Sequence, residues 1–373
     1  LTDTYCRCKV KRFAAVSFSK ELRMPASIDS LLATGTRLYL DSIDPQLVRE
    51  NISWGATGAT SNPIIISNLI KTGRFDDSLV SGIKDGLSDD DIAWKLTDQL
   101  VTDAQEQFAG IWLSSGGDQG WVSFELDPLI EDSENRLPIA ARVSRYITLG
   151  RKWSEGHTNR MIKVPATEAG LLALEELAAA GVTLNVTLIF SERQYLAARD
   201  AIWRGAQRRE SLNAFKSVYS IFVSRIDQYC SKVLPDLPAR LQGMVGIFNA
   251  KRLWKLNQEF WKGHPTRLKQ ELIFASTGTK DPKDIPWKYV AALAGSDIQT
   301  NPPETNKAIA DADVNFTAEV KTSLASDIAA EMEQNINIAA LETTLMAEGV
   351  SKFVEPQKKL LSLIAEKRAS LRA

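Results

Sequence analysis

Residues 159–170, "NRMIKVPATEAG", read as a strand that runs into a helix. Met161, Ile162 and Val164 form a short apolar run. Thr167 is placed as an N-cap, and Glu168 suits the positive first turn. Leu171, Leu174, Leu177 and Ala178 recur at helical spacing, and Gly181 closes the helix. Residues 161–190 therefore predict a compact βαβ unit. Lys163 is out of place in it. A lysine is almost never fully buried unless it is paired or used in chemistry, and desolvation disfavours its charged form.

The same alternation of β-rich runs and helical patterns extends along the chain and predicts a parallel βα architecture. Eight strand candidates stand out: 38–41, 57–61, 121–126, 161–165, 184–190, 218–223, 244–249 and 272–276. Eight βα units predict an α/β fold of the TIM (β/α)8 barrel type with extra N- and C-terminal helices, rather than an open doubly wound sheet. The interval 63–120 predicts two helices, near 64–71 and 89–108. The region from about Asn306 is strongly helical, and its apolar positions, including Leu345, Val350, Phe353 and Leu360, predict packing against the barrel. No linker or repeat divides the chain, so residues 24–373 are expected to form one domain.

Composition narrows the function. The chain has 373 residues, 44% hydrophobic and 24% charged, with a formal net charge of −1. That balance argues against nucleic acid or an anionic membrane as the main partner, while leaving room for a local basic pocket. No stretch approaches the roughly 20 apolar residues of a membrane helix. Three cysteines, Cys6, Cys8 and Cys230, make neither a zinc pattern nor a disulfide framework, and a reducing, cytoplasmic setting is expected. The two histidines, His157 and His264, read as loop residues, which leaves little basis for histidine-activated nucleophiles or histidine-rich metal sites. Residues 1–23 read as a basic, flexible extension ahead of Met24, with no apolar core long enough for a secretory signal.

Side chains alternate faces along a strand. Lys163 lies opposite Ile162 and Val164; Asn185 and Thr187 lie opposite Val186, Leu188 and Phe190; Ser123 and Glu125 lie opposite Val122, Phe124 and Leu126. Ser220 and Phe222 oppose Tyr219, Ile221 and Val223. Asp41 opposes Leu38 and Leu40, and Thr60 shares parity with Asn62. Each residue alone has an ordinary reading, as surface lysine, turn aspartate or Asn-Pro turn. The same parity in five or six strands instead points the polar faces into the barrel, at the mouth where TIM barrels carry their sites.

There is no P-loop, no convincing GxGxxG and no HExxH. A desolvated lysine near carboxylates, with no cofactor or metal expected, suits Schiff-base chemistry on a carbonyl substrate. Carbon–carbon cleavage beside the iminium requires a base for the departing hydroxyl, such as Asp41. Glu125 and a water held by Thr187 suit the proton transfers of carbinolamine formation and dehydration.

At this point several stretches resemble the transaldolase family. They are "LYLDSID" (38–44), "GATSNPIII" (58–66), "VSFELDP" (122–128), "MIKVPATEAGLLALEEL" (161–177), "GVTLNVTLIFS" (181–191), "SVYSIFVSRID" (217–227), "GIFNAK" (246–251), "ASTGTKDP" (275–282) and "EGVSKFVEPQKKLL" (348–361). "FVSR" looks like the family's longer bacterial and plant-type branch. The resemblance implies a class I aldolase-type barrel of the pentose phosphate pathway, with Lys163 as Schiff-base residue, Asp41 as acid/base at the C4 hydroxyl, and Glu125 with Thr187 handling the catalytic water. Asn62, Asn185 and Ser220 would hold hydroxyls of the dihydroxyacetone moiety with Thr60 beside them, and Phe222 joins the substrate-binding set. Arg225 would bind the substrate phosphate, with Ser276 and Lys280 as further contacts. The implied reaction moves a dihydroxyacetone unit from sedoheptulose 7-phosphate to glyceraldehyde 3-phosphate. Family members are often dimers, although the sequence carries no interface signature. Phe248 stands where the family typically has Ala, so the seventh strand is expected to pack differently. Two alternatives stay open: a fructose-6-phosphate aldolase that releases free dihydroxyacetone, and a non-catalytic barrel that binds sugar phosphates.

Overall fold

A computed structural model describes residues 24–322 and 326–370; the basic extension expected at 1–23, with Cys6 and Cys8, lies outside the described residues. Eight parallel strands close into a barrel in chain order. They are β1 (Arg37–Leu40), β2 (Gly58–Ala59), β3 (Trp121–Glu125), β4 (Arg160–Pro165), β5 (Leu184–Ile189), β6 (Ser217–Phe222), β7 (Glu271–Ala275) and β8 (Ile298–Asn301). Pairing of β1 with β8, from Arg37↔Ile298 to Leu40↔Asn301, completes the ring. The chain thus forms the expected (β/α)8 barrel.

The stretch around Lys163 folds as its pattern predicts. β4 leads into the helix Glu168–Ala179, whose cap Thr167 accepts a hydrogen bond from the Gly170 N–H at 3.1 Å. Gly181, at φ +89°, turns the chain out of the helix. Pro303–Ala310 is the helix that follows β8; the extra terminal helices are Ala26–Ala33 before β1, and Ser326–Asn335 and Ile338–Ser370 after the β8 helix.

Four expectations are corrected. The run 244–249 is not a strand but the start of the helix Val245–Gly263. Its buried residues Val245, Gly246, Ala250, Leu253 and Asn257 follow helical spacing, which a six-residue apolar run cannot reveal. Phe248 consequently packs from a helix and not from a seventh strand. The true β7 is the segment expected as the eighth strand, and the true β8 is "IQTN", which lacks apolar alternation. Its polar residues are buried through hydrogen bonds: Gln299 donates to Val290 O (3.2 Å) and Asn301 to Asn306 Oδ1 (3.0 Å). Third, a short helix, Asp76–Lys84, stands between Pro63–Lys71 and Asp89–Ser114, where two helices were expected in all. Fourth, Leu188 and Phe190 do not share the outer face of Val186. The β5–β6 register slips between Val186 and Ile189, and Leu188 takes φ +58°. This bulge leaves Val186 and Ile189 in the layer between barrel and helices, and sends Leu188 and Phe190 into a second cluster with Phe222 and Phe353.

The interior is stratified. At the N-terminal ends of the strands, Arg37 pairs with Asp118 (3.0 Å) and Glu271 (2.9 Å), while Lys216 pairs with the same two carboxylates. Above this ionic plug, Tyr39, Trp121, Met161, Val218, Ile273 and Ile298 form an apolar layer. The polar residues of the mouth come next, and the Leu188–Phe222–Phe353 cluster covers them. Gly58 is required by the apolar layer: a Cβ there would lie 2.3 Å from the Tyr39 ring and 2.6 Å from Trp121 O. Gly58→Ala is therefore expected to overpack the barrel and lower stability by about 1–3 kcal/mol, read as a lower urea midpoint; an unchanged midpoint would show that Tyr39 yields freely.

Candidate active site

The β3–β4 register sets Glu125 opposite Lys163. The Lys163 ammonium donates to Glu125 Oε2 at 3.0 Å and to the carbonyl of Ser61 at 3.1 Å. The two residues are only 5% and 6% exposed. The lysine is thus inside the barrel and paired with a carboxylate, as a buried charge must be. The Phe353 ring centroid lies 5.6 Å from the same nitrogen.

Asp41 follows β1, and its Oδ1 accepts from the Thr60 hydroxyl at 2.8 Å; Thr60 in turn meets the Thr300 hydroxyl at 2.8 Å. Burial raises the proton affinity of Asp41 above the ordinary carboxylate range, against the opposing pull of Lys163 and the Thr60 hydrogen bond. Burial raises Glu125 as well, again with Lys163 opposing. The Arg225 guanidinium is lowered by burial, with Asp41 the foremost charge opposing that shift.

A cavity of about 340 Å³ opens at the mouth. Asp41, Thr60, Asn62, Lys163, Thr187, Ser220, Phe222, Arg225, Ser276 and Lys280 all line it. Glu125 and Asn185 do not reach its wall. Glu125 stands behind Lys163. Asn185, fully buried, donates to Ser123 Oγ (2.9 Å) and accepts from Ser220 Oγ (2.7 Å), so it positions Ser220 from below. The Asn62 carboxamide oxygen caps the helix Pro63–Lys71 through the Ile65 N–H at 3.1 Å, which leaves the NH2 group to offer to a ligand. Two buried polar atoms of the wall lack a hydrogen-bond partner among the described residues: Thr187 Oγ1 and Arg225 Nη1. Ser276 holds φ +56°, a strained backbone for a non-glycine residue, and bonds the Ser224 hydroxyl at 2.9 Å.

Sequence reasoning missed other residues of this wall, among them Thr300, Lys352 and Phe353. Thr300 sits on the unrecognised β8. Lys352 and Phe353 come from the helix Ile338–Ser370, where an apolar helical stripe predicts packing against the barrel without saying which side chains reach its mouth. His157 and His264 do not line the cavity. Among the described residues, no group of three or more His, Cys, Asp or Glu side chains is arranged to hold a metal ion. No helix there is long and apolar enough to cross a membrane.

The Thr60 hydrogen bond favours the charged form of Asp41, so its removal must raise the carboxyl's proton affinity further. In Thr60→Val, carbon-13 NMR of labelled aspartate is expected to show Asp41 titrating at higher pH than in the unaltered protein. An unmoved midpoint would mean that the hydroxyl does not bond to this carboxylate.

Comparison with known proteins bears on the family to which the chain belongs. The family model described as Transaldolase/Fructose-6-phosphate aldolase matches residues 38–364. The chain is 31% identical over 343 residues to a protein named Transaldolase from Trichodesmium erythraeum, covering 84% of this chain and 88% of that one. It is 31% identical over 363 residues to the Transaldolase of Neisseria meningitidis serogroup A, covering 90% and 98%. With the Transaldolase of Renibacterium salmoninarum the identity is 30% over 374 residues, covering 92% and 97%. The match runs from β1 to the C-terminal helix and so takes in every strand of the barrel and the lysine at its mouth: the chain belongs to the transaldolase/fructose-6-phosphate aldolase family.

Proposed function

We propose that the protein is a transaldolase, moving a dihydroxyacetone unit from sedoheptulose 7-phosphate to glyceraldehyde 3-phosphate to give erythrose 4-phosphate and fructose 6-phosphate in the pentose phosphate pathway. The observation that carries this reading is Lys163 in the wall of a polar cavity at the barrel mouth, backed by its buried partner Glu125.

In this mechanism Lys163 passes a proton to Glu125, whose burial raises its proton affinity, and the neutral amine adds to the C2 ketone of the donor. The carbinolamine loses water to form an iminium; Glu125 and a water at the unpartnered Thr187 hydroxyl carry the protons. The Asp41 carboxylate takes the C4 hydroxyl proton, the C3–C4 bond breaks, and its electron pair enters the iminium to leave an enamine. The enamine then adds to the acceptor aldehyde, Asp41 returns the proton to the new alkoxide, and water releases the ketose. Thr60, Asn62 and Ser220 offer hydrogen bonds to the three-carbon unit, and Asn185 supports Ser220 from below. Arg225 answers the substrate phosphate, with Ser276 and Lys280 beside it. The apolar cover of Leu188, Phe222 and Phe353 limits water while the enamine waits for its acceptor. A reducing, cytoplasmic setting accompanies this reading, in keeping with the free, buried thiol of Cys230.

Borohydride reduction in the presence of fructose 6-phosphate, followed by peptide mass mapping, tests the proposal. A three-carbon adduct is expected on the peptide containing Lys163 and is expected to vanish in Lys163→Ala; an adduct elsewhere, or none, overturns the mechanism. Rapid release of free dihydroxyacetone without acceptor would instead identify an aldolase. The acid limb of kcat/KM is also predictable. Asp41 works as a carboxylate, and burial raises its proton affinity. Activity should therefore fall on acidification at a pH above the ordinary aspartate range of about 4, whereas a limb at or below that range would rule Asp41 out as the base.

A further inference from the structure

We propose that Lys352, on the helix Ile338–Ser370, is a specificity residue that reads the phosphate of the acceptor aldehyde, completing a three-cation pole with Arg225 and Lys280. The proposal rests on the Schiff-base reading above and extends it to a residue outside the barrel strands and their loops.

The geometry comes from three separate parts of the fold. Arg225 lies in the first turn of the helix Ser224–Val233, Lys280 in the loop after β7, and Lys352 on the C-terminal helix; all three line one cavity. Gly349, Lys352 and Phe353 occupy one face of that helix at spacings of three and four residues. Gly349 lets the helix come close: a Cβ there would stand 2.9 Å from Leu188 Cδ2 and 3.5 Å from Arg225 Nη1. The next turn therefore brings Lys352 to the same end of the cavity as the guanidinium, while Phe353 faces Lys163.

The charges at this end are not balanced within the protein. Of the acids of the mouth, Glu125 pairs with Lys163, while Asp41, hydrogen-bonded by the neutral Thr60 hydroxyl, also attracts Arg225. Arg225, Lys280 and Lys352 thus face Asp41 and Glu348, which leaves this end positive. The acid beside Lys352 is Glu348, 3.8 Å away on the same helix and 46% exposed at its side chain, an arrangement that neutralises little. Arg225 Nη1 is buried without a hydrogen-bond partner among the described residues. The proton affinity of Lys352 is lowered first by burial and next by Arg225; Glu348 opposes this, and Lys232 and Lys280 add to the repulsion. Like charges assembled around an unfilled donor make a site for an anion. One guanidinium fork satisfies a carboxylate; a fork with two lysine point charges suits a phosphate dianion, which has more charge and more oxygens to share.

The test compares the unaltered protein with Lys352→Gln and Lys352→Arg, using kcat/KM for glyceraldehyde 3-phosphate and for unphosphorylated glyceraldehyde at one fixed donor. The preference for the phosphorylated aldehyde is expected to fall about tenfold in Lys352→Gln and to recover in Lys352→Arg. A merely structural role would lower both values together and leave their ratio unchanged, which overturns the assignment. Calorimetric titration with inorganic phosphate supplies a readout independent of catalysis. Its dissociation constant is expected to rise about tenfold in Lys352→Gln, and an unchanged constant also overturns the assignment. Failure of borohydride trapping in the unaltered protein would defeat the Schiff-base reading, while the phosphate titration would still decide the role of Lys352.

Discussion

A buried ammonium has to be paired, and this constraint organises the mouth of the barrel. Lys163 meets Glu125 across the β3–β4 register, and a shift of one residue in that pairing would turn one of them out to the helices. Removing one partner from such a pair is strongly destabilising, by about 3–5 kcal/mol, because it strands the other charge. The same parity that seats Lys163 also seats Asn185 beside it and, farther round the ring, Ser220 and Asp41. Position in the register and chemistry at the site are thus one choice made several times over.

The pair can sit there because the layers above and below exclude water. Below it, Tyr39 fills the room left by Gly58, and the plug of Arg37, Asp118, Lys216 and Glu271 seals the bottom. Above it, the bulge in β5 turns Leu188 inward, where it meets the C-terminal helix at Gly349. That helix is tied down along its length: Lys358 pairs with Asp132 at 3.0 Å, and near its end Arg368 pairs with Asp89 at 2.7 Å. A segment more than 100 residues beyond the lysine in sequence thereby becomes the wall across from it.

Legibility differed by element. The 161–190 unit was readable because strand, cap, stripe and closing glycine agree locally. β8 was not: Gln299 and Asn301 are buried by hydrogen bonds to Val290 and Asn306 on the flanking helices, so no hydrophobic period marks the strand. The 244–249 run misled for the opposite reason, being apolar enough for either structure and too short to show its period. Parity identified Asp41, Glu125, Lys163 and Thr187 as facing one way. It failed beyond Thr187, because a bulge adds one residue to a strand and reverses every face after it.

By itself, then, the sequence determined the barrel, the inward lysine and most of the polar residues around it, since alternation and helix caps are local properties written in a few neighbouring residues. Only the tertiary structure decided that Lys163 is held by Glu125 and Ser61, that Asn185 lies beneath the cavity rather than in its wall, and that Lys352 and Phe353 close the site. Those outcomes depend on the closure of the ring and on where a distant helix lands, and no local pattern encodes either.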